Sequence, residues 1–261
     1  IMPDGKTLQI GTCHNLGTTF AKTFDITFEN KEGEHEYAYQ TCYGISDRVI
    51  AAAIAAHGDE KGLILPPKIA PDQITIIPII FKDGAEEVMD KCNEIKSALE
   101  SKGIRVKMDT RDIRPGKKFY DWELKGTPLR FELGPRDLKN NIAILGRRDT
   151  GEKIEINLDE NVADKVAELI DEIEVSLKSN AWAKLEDKIV EIESLDEIPK
   201  AIEDGKVVNF YWCGDEECGK AIEEETNVDV LGIQKEDIET DKVCPHCGKP
   251  AKHLALMAKT Y

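Results

Sequence analysis

From Ile74 to Phe81 the stretch ITIIPIIF is a continuous apolar run but for Thr75. Such a run predicts a strand covered on both faces, whereas a half-exposed strand would alternate. The next stretch, DGAEEVMDKCNEIKSALESKG (83–103), spaces its apolar residues at helical intervals and stops at Gly103. That spacing predicts an amphipathic helix. The alternation continues with IRVKMD as a strand, KKFYDWELKG as a short helix, and PLRFEL, NIAILGRR and KIEINL as strands. NVADKVAELIDEIEVSLKSN then predicts a long helix. Strands separated by helices imply a parallel or mixed sheet under a helical cover, here an α/β domain over 72–180.

The flanks carry other periods. Within residues 1–42, TLQIGTC, KTFDITFEN and HEYAYQTCY are rich in β-branched and aromatic residues, and NKEGE suits a hairpin turn. They predict antiparallel β-structure, with Asp4-Gly5 as a turn between strands. A helix is expected over 47–57, then a proline-rich linker holding Pro66, Pro67 and Pro71, which closes a first domain at 1–71. A third domain, 181–261, opens with AWAKLEDKIVEIESLDEIPKAIEDGK, read as helical and interrupted by Pro199. VVNFYW follows as a strand running into Cys213.

With 261 residues the chain has room for two or three domains. No apolar run approaches membrane-spanning length, and no segment reads as a secretory signal. A formal charge of −16 argues against a general nucleic-acid or membrane-surface binder, so any such contact has to be local. The chain opens in mid-pattern at Ile1, and we expect it to be the later part of a longer protein.

Four of the seven cysteines form two close pairs, Cys213 with Cys218 and Cys244 with Cys247, each followed by glycine. Four thiolates at tetrahedral geometry saturate Zn²⁺ and leave no position for catalysis, so the expectation is a structural zinc site in a reducing compartment. His246 is a weaker alternative ligand, while Cys13, Cys42 and Cys92 read as packing residues.

Residues 105–136 break the acidic trend, with nine Arg or Lys against five acids. Phe119 and Trp122 lie among these charges, and three glycines and three prolines fix the backbone from Arg114 to Leu138. Stackable aromatics beside arginines suit single-stranded RNA in a loop. The alternative is a solvated helix face over core aromatics.

One residue breaks a local rule. Arg48 falls in the first turn of the helix expected over 47–57, where the helix dipole disfavours a cation. A surface pair with Asp47 or Asp59 is the plain explanation.

MPDGKTLQIGTCHNLGTTFAKTFDI, YAYQTCYGISDRVIAAAIAAHGDEKGLILPPKIAP and RPGKKFYDWELKGTPLRFELGPRDL resemble, in this order, prolyl-tRNA synthetases of the archaeal and eukaryotic type. The likeness runs over essentially the whole chain. It implies an α/β and α+β multidomain protein: the end of a class II antiparallel-sheet catalytic domain, an α/β anticodon-binding domain and a small C-terminal zinc-binding α/β domain. GISDRVIAAAI is similar to the third class II motif, which makes Arg48 a ligand of ATP phosphates. The resemblance further implies that Gln9 and Thr12 contact the nucleotide. His14, Gly44 and Ser46 would form the proline pocket. Phe119, Glu123, Arg130 and Arg136 would read the guanines of the proline anticodon. It also implies Mg²⁺ with ATP, a homodimer, a cytoplasmic location and a C-terminal Tyr261 packed back towards the catalytic domain. The first two class II motifs are not in this sequence, so the 261-residue chain is expected not to activate proline alone. A threonyl, glycyl or histidyl relative, or a non-catalytic tRNA-binding paralogue, are the competing readings.

Overall fold

The N-terminal stretch is built on a short antiparallel pair. Strand β1 (Gly11–Gly17) is followed by helix α1 (Thr19–Phe24), the hairpin β2 (Thr27–Glu29) and β3 (His35–Tyr37), strand β4 (Gln40–Ile45) and helix α2 (Arg48–His57). β1 pairs with β4, bringing Thr12 opposite Gly44 and His14 opposite Cys42. The computed structural model describes residues 1–80, 84–235 and 238–261.

Two expectations change here. Residues 19–24 are helical, and this helix takes in Lys22–Phe24, the start of the strand expected over KTFDITFEN. Ala21 is fully buried, and Asp25 ends the helix in the left-handed conformation. Cys13 and Cys42 are exposed rather than packed, because both faces of the β1–β4 pair lie largely open. The Asp4-Gly5 turn forms, with Gly5 at φ 85°. It is flanked by an isolated bridge from Thr7 to Thr260 rather than by strands.

Residues Ile54–Asp187 form one structural unit. Its elements are β5 (Ile74–Pro78), α3 (Ala85–Ser101), β6 (Val106–Met108), α4 (Pro115–Lys125), β7 (Leu129–Leu133), α5 (Pro135–Lys139), β8 (Ile142–Arg147), β9 (Lys153–Asn157) and α6 (Val162–Lys188). The sheet order is β6-β5-β7-β8-β9, parallel around β5 and antiparallel from β7 outward. Every residue of β5 is buried, the polar Thr75 included, but the strand expected to Phe81 ends at Pro78: Ile79 is half-buried, Ile80 is exposed, and Phe81 lies outside the described residues. Val88, Cys92, Ile95 and Leu99 of α3 cover the sheet together with Val166, Leu169 and Ile173 of α6. Burial pushes the Cys92 thiol up to about 12, so it behaves as an apolar packing group.

Lys188–Tyr261 groups with Ile1–Ala53 in a second unit. It contains β10 (Ile189–Glu191), α7 (Ile198–Glu203), β11 (Val207–Trp212), α8 (Glu216–Thr226), β12 (Asp229–Ile233) and β13 (His253–Ala258). The four strands order as β10-β11-β13-β12 over a core of Ile198, Phe210, Ile222 and Met257. The helical reading of 181–206 holds only in part. Helix α6 runs unbroken from Val162 to Lys188, and Ile189–Glu191 then leaves it to pair in parallel with Val207–Asn209. The C-terminus is tied down: the Tyr261 hydroxyl donates to Asp4 at 2.8 Å, and the Tyr261 N–H donates to the Thr7 carbonyl.

Candidate functional site

The turn between β4 and α2 sets the first site. The Ser46 N–H and hydroxyl both donate to the Ile10 carbonyl, and the Arg48 N–H donates to Ser46 Oγ at 3.3 Å. These bonds hold the helix start against the strand opposite it. Gln9, Gly11, Thr12, Gly44, Ile45, Ser46, Asp47 and Arg48 line one open concavity of about 490 Å³. A Cβ at position 44 would lie 3.3 Å from Thr12 Oγ1, so glycine keeps the threonine hydroxyl accessible. Five of the six expected nucleotide and amino-acid contacts therefore converge. His14 lies outside the lining, two residues beyond Thr12 on the same strand face.

The plain explanation of Arg48 fails. Among the described residues its guanidinium makes one long contact, Nη1 to the Gln9 carbonyl at 3.5 Å, and no carboxylate pairs with it. Of the two suggested partners, Asp47 makes no ion pair with it among the described residues, and Asp59 is taken by Arg148. What remains is a fork of unpaired donors at a helix start, an arrangement that favours anions.

A second site lies on the sheet of the middle unit. Phe119 and Glu123 are one helical turn apart on α4, and Arg130 lies on β7 with its guanidinium 4.7 Å from the Phe119 ring centre. Glu123 and Arg130 line a pocket of about 200 Å³ with Trp122, Arg147, Arg148 and Lys153. Lys61 Nζ approaches the Glu123 carboxylate at 3.6 Å. Arg136 is exposed on α5 and does not line this pocket.

The basic stretch is narrower as a binding surface than its composition implies. Arg105 donates to the carbonyls of Pro67 and Ala70, and Lys118 is buried against the Asp109 carbonyl. Burial opposes ionisation of Asp109. Hydrogen bonds from Arg111 and Trp122 outweigh it and hold the carboxyl well below its ordinary range. Trp122 is therefore a buried donor to Asp109 at 2.8 Å and is not free to stack. Lys153, which lines the pocket, and Glu132, which accepts from both Arg130 and Lys153, escaped the sequence reading. Their only signal was Glu132 standing two residues from Arg130 in a strand.

The four paired cysteines meet. Their sulfurs all lie within 4.8 Å of one another, with Cys218–Cys244 and Cys213–Cys247 each at 3.6 Å. Sulfurs at tetrahedral corners about 2.3 Å from a zinc ion would stand about 3.8 Å apart, so the donor set fits. Burial raises the Cys213 and Cys218 thiols. Burial also opposes ionisation of Cys244, yet backbone N–H groups, chiefly that of Cys247, draw it down to about 7. His246 sits outside the cluster beside Glu225. Of the two flanking glycines only Gly248 makes a turn, at φ 69°. Gly219 lies inside α8, where a Cβ would come 3.2 Å from the Trp212 ring.

Three family models match these regions in order. Residues 1–57 match the tRNA synthetase class II core domain (G, H, P, S and T). Residues 73–169 match an anticodon binding domain, and residues 195–261 match the prolyl-tRNA synthetase C-terminal domain. The chain is 61% identical to a proline–tRNA ligase of Methanobrevibacter smithii, over 100% of this chain and 56% of the relative. It is 53% identical to the proline–tRNA ligase of Methanothermobacter thermautotrophicus, over 96% of this chain and 52% of the relative. The chain belongs to the prolyl-tRNA synthetase family. It spans about half the length of the curated relatives it matches. Among the described residues no helix is long and apolar enough to cross a membrane.

Proposed function

We propose that this chain works as part of a prolyl-tRNA synthetase, a ligase that activates proline with ATP and transfers it to the 3′ end of proline tRNA. The observation that carries this reading is Arg48, unpaired by any described carboxylate and lining one concavity with Gln9 and Thr12. Proline's carboxylate attacks the α-phosphate of ATP, which enters as its Mg²⁺ complex, and pyrophosphate leaves. The terminal ribose hydroxyl of the tRNA then attacks the activated carbonyl and releases AMP. Arg48 has the donors to grip phosphate oxygens, with Gln9 and Thr12 beside the nucleotide. His14, Gly44 and Ser46 bound the proline pocket in this reading. No covalent nucleophile is required, since positioning and charge stabilisation suffice.

In the same proposal the chain divides into 1–71 as the catalytic-domain portion, 72–180 as the anticodon-binding domain and 181–261 as the metal-binding domain. Phe119, Glu123, Arg130 and Arg136 read the anticodon. A guanine offers N–H donors to a carboxylate and acceptors to an arginine, which suits Glu123 and Arg130. Cys213, Cys218, Cys244 and Cys247 would hold a structural zinc, which supplies cross-linking of the C-terminal fold and no catalysis. The working protein is a cytoplasmic homodimer in this reading. The test is ATP–pyrophosphate exchange by the complete protein with proline, threonine, glycine or histidine as the sole amino acid. Exchange driven by proline is expected. Exchange driven by one of the others overturns the assignment.

A further inference from the structure

Two cations that line the pocket on the middle unit's sheet, Arg130 and Lys153, share a carboxylate that has no role in the reading above. Glu132 is only 5% exposed, on the same face of β7 as Arg130. One of its oxygens accepts from Arg130 Nε at 2.8 Å, and the other accepts from Lys153 Nζ at 3.3 Å. Both cations lie over the Phe119 ring, at 4.7 and 5.7 Å from its centre.

Strand register explains the meeting. Arg130 on β7 and Lys153 on β9 both pair with Gly146 of β8, which lies between them. A Cβ on Gly146 would come 3.1 Å from Arg130 Nη2, so any side chain there would press on the guanidinium lying across it. Glu132 takes the Nε of Arg130 and leaves its terminal nitrogens without a protein acceptor among the described residues. Those two nitrogens form the fork that reads the acceptor edge of a purine.

We propose that Glu132 is a positioning residue for base recognition: it aims the Arg130 fork and holds Lys153 over Phe119, so that this pocket discriminates bases instead of gripping phosphate. This rests on the anticodon reading of the pocket. A buried carboxylate between two cations fixes their directions and offsets part of their charge. Without it, two mobile cations attract any phosphate equally, and phosphate contacts carry no sequence information.

The test uses the complete protein, a fluorescent proline-tRNA anticodon stem-loop, and the same stem-loop with its anticodon guanines replaced by adenines. The unaltered protein should prefer the guanine loop; equal binding overturns the anticodon reading before any variant is compared. Given that preference, Glu132→Gln is expected to lose about tenfold of it, the scale of one bidentate base contact. The loss should come from the guanine loop alone, with the adenine loop bound as tightly as before or tighter. Glu132→Asp, which keeps the charge, should recover part of the preference. Gly146→Ala crowds Arg130 without touching the carboxylate and should show the same selective loss, which keeps the test decisive if Glu132→Gln does not fold. An undiminished preference in the folded variants, or equal weakening of both loops, overturns the positioning role.

Discussion

Both carboxylate oxygens of Asp59 receive the guanidinium of Arg148, with Nη1 at 2.9 Å and Nη2 at 2.5 Å, across 89 residues of sequence. The third guanidinium nitrogen, Nε, donates to the Glu123 carbonyl at 2.9 Å. Arg148 thereby ties the segment after α2 to the end of α4, and it also explains why Arg48 has no acidic partner there.

The pair makes a pH prediction. The Arg148 hydrogen bonds hold the Asp59 carboxyl at about 2, below its ordinary 3.8. A folded-state value below the unfolded one contributes stability that is present above about pH 4 and lost as pH falls through about 2. Asp59 is 39% exposed, so solvent screening reduces the contribution to about 1 kcal/mol. Asp59→Asn should therefore lower stability by that amount at pH 7, with the gap closing between pH 4 and 2. Urea unfolding at a series of pH values measures it. A gap independent of pH contradicts the assignment.

The same segment gives a backbone prediction. Gly62 has φ 135°, and a Cβ there would come 2.6 Å from the Leu124 carbonyl oxygen. The approach is fixed by the Leu63 N–H donating to that carbonyl at 3.0 Å and the Leu65 N–H donating to Gly126. Gly62→Ala combines strain with a clash and should cost about 1–3 kcal/mol. A thermal midpoint equal to that of the unaltered chain would show that the segment can shift without loss.

Much of this architecture was legible in the sequence, for reasons that vary along it. β5 could be read because a fully buried strand leaves a run that is apolar at nearly every position, Ile74–Pro78 with Thr75 its one polar residue. The cysteine quartet was legible because metal-ligand spacing has few other causes, and the sulfurs do converge. Helix α1 was missed because Thr19, Phe20, Thr23 and Phe24 favour strands locally, while the burial of Ala21 is a tertiary effect. β10 was hidden because Ile189–Glu191 continues a helical pattern and becomes a strand only by pairing with β11. Glu132 and Lys153 could not be found from spacing, since strand register across β8 brings them together.

The cysteine cluster predicts a metal-dependent C-terminal fold. Cys213, Cys218 and Cys244 are packed in one core with Phe210, Ile222 and Met257. Loss of a shared ion would leave buried thiolates unpaired against that core. Metal analysis should find about one zinc per chain, and structural zinc sites contribute on the order of 10 kcal/mol. Cys244→Ser or a strong chelator should release the metal and unfold the strands around β11. Hydrogen exchange should show this as lost protection in Val207–Trp212, with Ile74–Pro78 unaffected. Retained protection after full metal removal would reduce the cluster to ordinary packing.

Arg48 gives the most direct test of the proposed nucleotide site. Its guanidinium costs the empty protein some dipole repulsion and is held only by the long contact to the Gln9 carbonyl. That is an unfavourable place for a cation until a polyanion arrives, when the same donors and the helix start attract it together. Arg48→Ala in the complete protein should therefore leave folding intact or slightly improved, because no ion pair is lost. ATP affinity should fall by about 10- to 100-fold, the worth of one or two charge-assisted hydrogen bonds. Arg48→Lys keeps the charge and loses the fork, so it should recover only part of the affinity. Calorimetric ATP titration beside thermal unfolding separates the two effects. Equal ATP affinity in all three proteins would mean that the guanidinium is an idle surface group, and the concavity of Gln9, Thr12 and Ser46 would need another ligand.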